Sequence, residues 1–295
     1  MLLGYACKNE SLGKLGSFRS LTVKRASAMN EADRIKLIKQ LTLENLETTF
    51  HILQWNVLRG IYMYRVSSRL IVLDNHELNT WDWVNDSDVK AYGIAIRMFC
   101  KEHNIRLSLH PDQFCVLNSH KAEVVDRTIS ILVHQNEVAE LLGINIIVLH
   151  VGGVYDNKLH GLVRFMSGFH RLHDYIKAKI VVENDDKSYN AKEVLELCQA
   201  LKIPMVLDIH HNNCNNDTDV SHLIYEIHKT WDNHSDKPKV HLSSGATSKT
   251  DRKHADYVTY DDFRDALVLL DGYDFDIMIE AKKKELSVLD LMEVI

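Results

Sequence analysis

Short apolar runs punctuate the chain, and between them lie longer stretches whose apolar positions return every three or four residues. Runs of the first kind read as buried strands, stretches of the second as amphipathic helices. The strand candidates are Leu2–Tyr5, Ile61–Val66, Arg106–His110, Ile146–His150, Ile180–Glu183, Met205–Asp208, Val240–Ser243 and Asp276–Glu280, eight in all. Helical spacing covers, among other stretches, Glu31–Gln54, Asp88–His103, Ala122–Leu142 and Ala191–Leu201, with Asn30 and Ser87 as expected N-caps. Alternation of strand and helix from end to end is the rhythm of a parallel sheet. Eight βα units closing on themselves predict an α/β fold of the TIM (β/α)8-barrel type. Trp81–Ser87 and the polar stretch Asn212–Asp219 read as loops inside it. No repeat, low-complexity tract or Pro/Gly-rich linker divides the chain, so residues 1–295 are expected to form a single domain. A barrel of roughly 250 residues with extensions fills that length.

Composition narrows the setting. Five cysteines (Cys7, Cys100, Cys115, Cys198, Cys214) make an odd number without a C-x-x-C pair, which reads as reduced thiols and not as a disulfide framework or a zinc finger. The start, MLLGYACKNE, lacks the features of a signal peptide, and no stretch reaches the ~18 apolar residues of a membrane span. A cytoplasmic protein is expected, or a nuclear one if the source is eukaryotic. The net charge of −6 points mildly away from nucleic acid, but acidic residues that hold divalent cations would reverse the local sign. Seventeen histidines weigh more, since imidazole is the commonest transition-metal ligand. His103, His170, His173, His222, His228 and His234 stand in charged contexts and read as surface residues.

The ends of the apolar runs carry the chemistry. IRLSLH finishes in His110, IIVLH in His150, KIVVEND at Glu183, and MVLDIHH at Asp208 with His211 following; KVHLSS carries His241 and DIMIEAK ends in Glu280. Any one alone reads as a hydrogen-bonded core histidine or an ion-pair partner. Six successive strands ending this way place titratable groups on one barrel rim, where burial is costly unless they are paired or metal-bound. A set of imidazole and carboxylate without thiolate suits zinc, manganese or iron better than calcium or magnesium. Glu183, Asp208 and Glu280 could each bridge two ions, which favours a multinuclear site suited to phosphodiester hydrolysis. From spacing alone, His210 competes with His211 on even terms.

The segments LGYACKN (3–9), YRVSSRL (64–70), RLSLHPDQFCVLNS (106–119), HVGGVYDNK (150–158), VVENDDKSY (181–189), LDIHHN (207–212) and PKVHLSS (238–244), followed by HADYV (254–258) and MIEAKKKE (278–285), resemble the ordered motif series of the UV damage endonucleases. HPDQF and ENDDK in that succession are specific, whereas HVGG or DIHH alone would be weak. The resemblance implies a DNA repair barrel related to apurinic endonuclease IV, with up to three divalent ions, manganese first and zinc or magnesium as alternatives. It implies a cut immediately 5′ of cyclobutane pyrimidine dimers, 6-4 photoproducts and some other lesions, leaving a 3′-hydroxyl and a 5′-phosphate. Carried over by motif, the metal ligands are His110, His150, Glu183, Asp208, His211, His241, His254 and Glu280. His211 is preferred over His210 because related barrels keep an Asp-x-x-His spacing. Glu183, Glu280 and Lys239 take the catalytic roles. Lys239 matches a lysine that is carboxylated in some members; a strand-end lysine that only neutralises carboxylates is the other reading.

Gln113 and Phe114 match a pair that enters the duplex opposite the damage and fills the vacated space. Some relatives carry tyrosine at the position of Phe114, so this chain keeps the stacking face without the hydroxyl. Tyr5, Asn9 and His76 match positions that contact the lesion or the nearby backbone. Arg19, Arg65, Lys158 and Lys187 are expected to position phosphates, and Gly152 and Gly153 to permit a tight turn. The partner implied is damaged double-stranded DNA, bound by a monomer without an obligate protein partner. Three alternatives remain: a metal-dependent sugar isomerase on the same barrel, a binding-only barrel, and an apurinic endonuclease indifferent to photoproducts.

Overall fold

The computed structural model describes residues 1–215 and 219–294. Its strands are β1 (Leu3–Ala6), β2 (Met63–Arg65), β3 (Arg106–Ser108), β4 (Ile147–His150), β5 (Ile180–Glu183), β6 (Met205–Asp208), β7 (Lys239–Leu242) and β8 (Asp276–Ile279). They form one sheet in the order β3-β2-β1-β8-β7-β6-β5-β4, parallel at every pairing. A single parallel bridge, Leu109 to Ile147, joins its two ends. There Leu109 N donates to Ile146 O and Val148 N to Leu109 O, both at 2.9 Å. The result is the nearly closed TIM-type barrel expected from the alternation of patterns.

Helices fill the outer layer where the spacing placed them, including Glu31–Val57, Ser87–Glu102, Ala122–Leu142 and Ala191–Leu201. Asn30 caps the first of these, its Oδ1 accepting from Asp33 N at 3.0 Å. Ser87 is not a cap; Asp86 is, with Oδ1 accepting from Asp88 N at 3.0 Å and Val89 N at 3.4 Å. A carboxylate there also meets the positive end of the helix, an advantage a serine lacks. The stretch Asn212–Asp219 is only partly a loop, because Ile209–Asn215 is helical. Asp208 starts that turn by accepting from His211 N at 2.6 Å; residues 216–218 of the expected loop lie outside the described residues. Trp81–Asp86 is irregular apart from one 3-10 turn, Trp83–Asn85, and Ser87 already opens the next helix.

Strand alternation sorts the residues into two populations. One face supplies Leu3, Tyr5, Leu107, Ile147, Val182, Leu207, Val240 and Ile277 to a large apolar layer shared with the helices. The opposite, inner face is unusually polar. Ile146, Val148, Val181 and Val206 pack with Trp231 as a separate apolar plug, but their inner neighbours are Arg65, Ser108, Glu183, Asp208, Lys239 and His241. At the N-terminal end of the barrel Arg106 pairs with the fully buried Asp276, which also meets Lys237 at 3.0 Å and accepts from Leu2 N at 2.7 Å. The interior is therefore charged at both ends and greasy only between them. All five cysteines are free, and among the described residues no helix is long and apolar enough to cross a membrane. Of the histidines read as surface residues, His170, His173 and His222 are exposed, and His103, His228 and His234 are half-buried.

Candidate metal centre

Each βα unit from β3 to β8 delivers one or two polar side chains to the C-terminal rim, and Glu183 is their meeting point. This carboxylate is 1% exposed. His110 Nε2 lies 3.1 Å from Glu183 Oε2 and His150 Nε2 3.8 Å from the same atom. On its other oxygen, Oε1, converge His241 Nδ1 at 3.1 Å and His211 Nδ1 at 3.5 Å. His241 Nδ1 also stands 3.2 Å from Glu280 Oε1, and His211 Nδ1 3.6 Å from Asp208 Oδ2. Among the described residues, two groups have ligand atoms mutually within 4.8 Å: His110, His150 and Glu183; and Glu183, Asp208 and His241. Glu183 belongs to both, so it could be shared between two ions.

The electrostatics follow from crowding charges in a dry site. Against the penalty of burial, His241, His150 and His110 hold the Glu183 carboxyl well below the usual range. Burial lifts Asp208 well above it. His150 is driven down to about 4 by burial, so it is a neutral imidazole with a free lone pair at pH 7. His211 goes the other way, to about 9, because Asp208 and Glu183 outweigh its burial. Glu280 is held low, despite its burial, by Arg65 and His241.

Four buried polar atoms here have no hydrogen-bond partner among the described residues: His150 Nδ1, Asp208 Oδ2 and both ring nitrogens of His241. Orphans of this kind are rare in finished structures. Close N···O approaches that fail hydrogen-bond geometry suit lone pairs aimed at a common cation, and the nitrogen–oxygen donor set fits a divalent transition metal. Supporting groups fix the ligands from behind. Asn184 exchanges two hydrogen bonds of 2.9 Å with the backbone of Asp208, and its own carbonyl lies 3.1 Å from His211 Nδ1. The carbonyl of Pro111 sits 3.1 Å from His110 Nδ1.

Between the two histidines left open by spacing, geometry separates the roles. His211 faces Glu183 and Asp208, whereas His210 turns to Asp251 O at 3.1 Å. His254 stands at the margin, its ring centroid 6.5 Å from that of His211 and its Nε2 3.5 Å from Ser243 Oγ. Lys239, 1% exposed, donates to Ser108 Oγ at 3.0 Å beneath the cluster. Burial, then Arg65 and Arg106, push its ammonium down to about 7.

Other expected residues sit elsewhere. Tyr5 points outward into the helix layer and is wholly buried, its hydroxyl donating to Asn56 Oδ1 at 2.7 Å and accepting from Asn9 Nδ2 at 2.8 Å. Asn9 is buried with it. His76 lies in the loop after β2, where its Nδ1 accepts from Leu78 N at 3.1 Å, beside Trp81 and Trp83 in a cavity of about 410 Å3. Arg65, expected on phosphate, is half-buried and paired with Glu280. Of the other phosphate candidates, Arg19 pairs with Glu44 at 3.3 Å and Lys158 with Glu193 at 2.9 Å, while Lys187 is exposed. Gln113 and Phe114 are exposed, Phe114 at 77%. Gly152 adopts φ 107°, the turn expected after β4. Sequence reading missed Asn184 and the Arg65–Glu280 pair; the first is flagged only by its place next to Glu183 in ENDDK.

A parallel barrel whose rim gathers histidines and carboxylates from six strands defines the class, a TIM-type barrel with a candidate metal site at its C-terminal rim. The chain belongs to the UV-endonuclease UvdE family, whose model matches residues 1–295. It is 34% identical to a UV DNA damage endonuclease of Bacillus mycoides over 98% of this chain and 92% of that one. The crystal structure of SacUVDE superposes with a TM-score of 0.88 at 30% identity, covering 100% of this chain and 97% of the other. Endonuclease IV from Thermus thermophilus shares the fold, with a TM-score of 0.61 at 12% identity over 99% and 97% of the two chains. So does a D-psicose 3-epimerase from Clostridium cellulolyticum, at 0.53 and 11% over 78% of each.

Proposed function

We propose that this protein is a damage-specific DNA endonuclease that hydrolyses the phosphodiester immediately 5′ of a UV photoproduct, leaving a 3′-hydroxyl and a 5′-phosphate. Cyclobutane pyrimidine dimers and 6-4 photoproducts are the assigned lesions, with abasic sites and others accepted to a lesser degree. The observation that carries this reading is Glu183 shared between two ligand groups, a multinuclear geometry suited to phosphate and built on a chain of the UvdE family. We assign up to three divalent ions, manganese first and zinc or magnesium beside it, to His110, His150, Glu183, Asp208, His211, His241, His254 and Glu280. When bound, such ions supply Lewis acidity toward phosphate oxygens and acidify water. Arg65 holds the Glu280 carboxylate in place from below. Lys239, with an amine near neutrality, is suited either to carboxylation or to balancing the carboxylates above it. Damaged duplex DNA is the partner, bound by a monomer in the cytoplasm, or in the nucleus of a eukaryote.

The test is incubation of UV-irradiated and undamaged duplexes with the protein, with manganese or with a chelator. A manganese-dependent nick 5′ of the dimer is expected on the irradiated duplex alone. Its absence refutes the reading, and nicking confined to abasic duplexes would make the protein an apurinic endonuclease. Gln113 and Phe114 supply lesion recognition by entering the stack opposite the damage. Phe114→Ala is therefore expected to weaken binding to damaged duplex about tenfold, the worth of one stacked base, with bound metal unchanged. A fall in metal content would instead make Phe114 structural.

A further inference from the structure

Of the adjacent histidines on the short helix Ile209–Asn215, His211 turns to the carboxylates and His210 turns away from them. His210 is only 1% exposed, and an imidazole removed from water needs a polar partner to offset the loss. Its Nε2 lies 3.1 Å from Asp251 O; a carbonyl only accepts, so the ring donates from Nε2. Cys214, four residues and about one turn further along, reaches the preceding carbonyl, its Sγ donating to Thr250 O at 3.5 Å. The two side chains stand together, Cys214 Sγ lying 3.6 Å from His210 Nε2. One helix face thus grips two successive carbonyls of the loop after β7.

That loop carries His254, and it is stiff within itself. Ala246 N donates to Lys253 O at 2.7 Å, and a bridge joins Gly245 to His254. Asp251 ties the tip, its Oδ1 accepting from Lys253 N at 3.0 Å and its Oδ2 from Thr247 Oγ1 at 2.7 Å. A Cβ on Gly245 would stand 2.0 Å from Ser248 O, so the turn is closed on bare backbone. The stem is fixed by Ala255, whose N donates to Ser244 O at 2.8 Å and whose carbonyl accepts from Lys282 N at 3.1 Å. The tip is held differently. Its ion pairs, Arg252 with Asp186 at 3.2 Å and Lys249 with Asp265 at 2.9 Å, are exposed and contribute little. A thiol is a weak donor, which leaves the buried bond from His210 as the firm attachment. His254 lies between the two anchors, its ring 5.7 Å from that of His210.

We propose that His210 is a positioning residue of the metal centre: by holding the Asp251 carbonyl it sets where His254 stands relative to His211, and so how firmly an ion is kept at that corner. This rests on the metal assignment proposed above. The corner needs such support more than the rest of the cluster does. His211 approaches Glu183 at 3.5 Å, whereas His254 has no ion pair with a carboxylate among the described residues, and the two rings are 6.5 Å apart. One short helix then serves both histidines, bearing His211 itself and steering His254 through the loop that His210 grips.

The experiment dialyses chelator-stripped full-length protein against graded manganese and reads bound ion per chain by elemental analysis. His254→Ala identifies the corner by the ion it loses. His210→Met keeps the bulk and removes the donor; it is expected to weaken that same ion about 10- to 100-fold, the usual cost of losing a bond that orients a ligand, and to leave the others at wild-type affinity. His210→Gln, which carries an N–H at similar reach, should restore it. Combining His210→Met with His254→Ala should leave the remaining ions as His254→Ala alone leaves them, because the two changes act on one corner. Wild-type uptake by His210→Met, equal weakening of every ion, equal losses in the Met and Gln variants, or failure of both to fold would make His210 a packing residue and overturn the proposal. A His254→Ala variant that keeps every ion would overturn it too. Wild-type protein that takes up no manganese would refute the metal assignment instead, so the two failures are distinguishable.

Discussion

Glu183→Gln is expected to lower incision of damaged DNA by on the order of 10²–10³, the cost of removing one preorganised charged group from an active site, and to lower bound metal in the same preparation. The amide keeps the shape and loses the charge. Glu183 meets His110 and His150 through one oxygen and His211 and His241 through the other, so no neighbouring carboxylate can replace it in both groups. Incision rate, elemental analysis and circular dichroism are the three readouts. Wild-type activity in this variant would remove Glu183 from the site. A lost fold would make it structural, and Glu280→Gln, on the more exposed partner of His241, would then decide whether the carboxylates act in cleavage.

At the opposite end of the barrel the largest effect falls on stability and spares the chemistry. Asp276→Asn is expected to cost about 3 kcal/mol, the low end for removing one member of a buried ion pair, because its partners keep outer contacts. Asp276 is fully buried and carries Arg106 on one oxygen and Lys237 on the other, so its loss leaves Arg106 with Asp236 at 3.8 Å and Lys237 with Asp274 at 2.5 Å. Denaturant unfolding measures the change, while incision per folded molecule should stay at the wild-type level. A loss below about 1 kcal/mol would show that solvent already screens the cluster.

Much of the fold was legible because hydrophobic periodicity and strand ends are local signals. Ile180–Glu183 and Met205–Asp208 were read to the residue. Tyr5 shows what such reading does not supply. Its place at a strand end suggested the rim, but strand alternation turns it outward to Asn56, a partner fifty-one residues away. The partner of Arg65 was likewise not legible, since Glu280 lies just past β8 and no spacing rule connects the two. Ser87 lost the cap to Asp86 because the two differ by one residue, finer than propensity resolves. His211 and His210 are adjacent in the chain and equivalent in chemistry, and only the turn begun by Asp208 tells them apart.

The seam between β3 and β4, held by one bridge at Leu109 and Ile147, has a consequence for how the centre comes into being. His110 follows one side of that seam and His150 ends the other, while the remaining ligands are spread along the chain as far as Glu280. No contiguous segment shorter than residues 110–280 contains the set. The centre is the product of long-range contacts, and such contacts are the slow ones in folding. A divalent ion cannot template the early steps, because its ligands have not yet met. Capture of a metal by these residues would belong to the end of assembly and would report that the ring has closed.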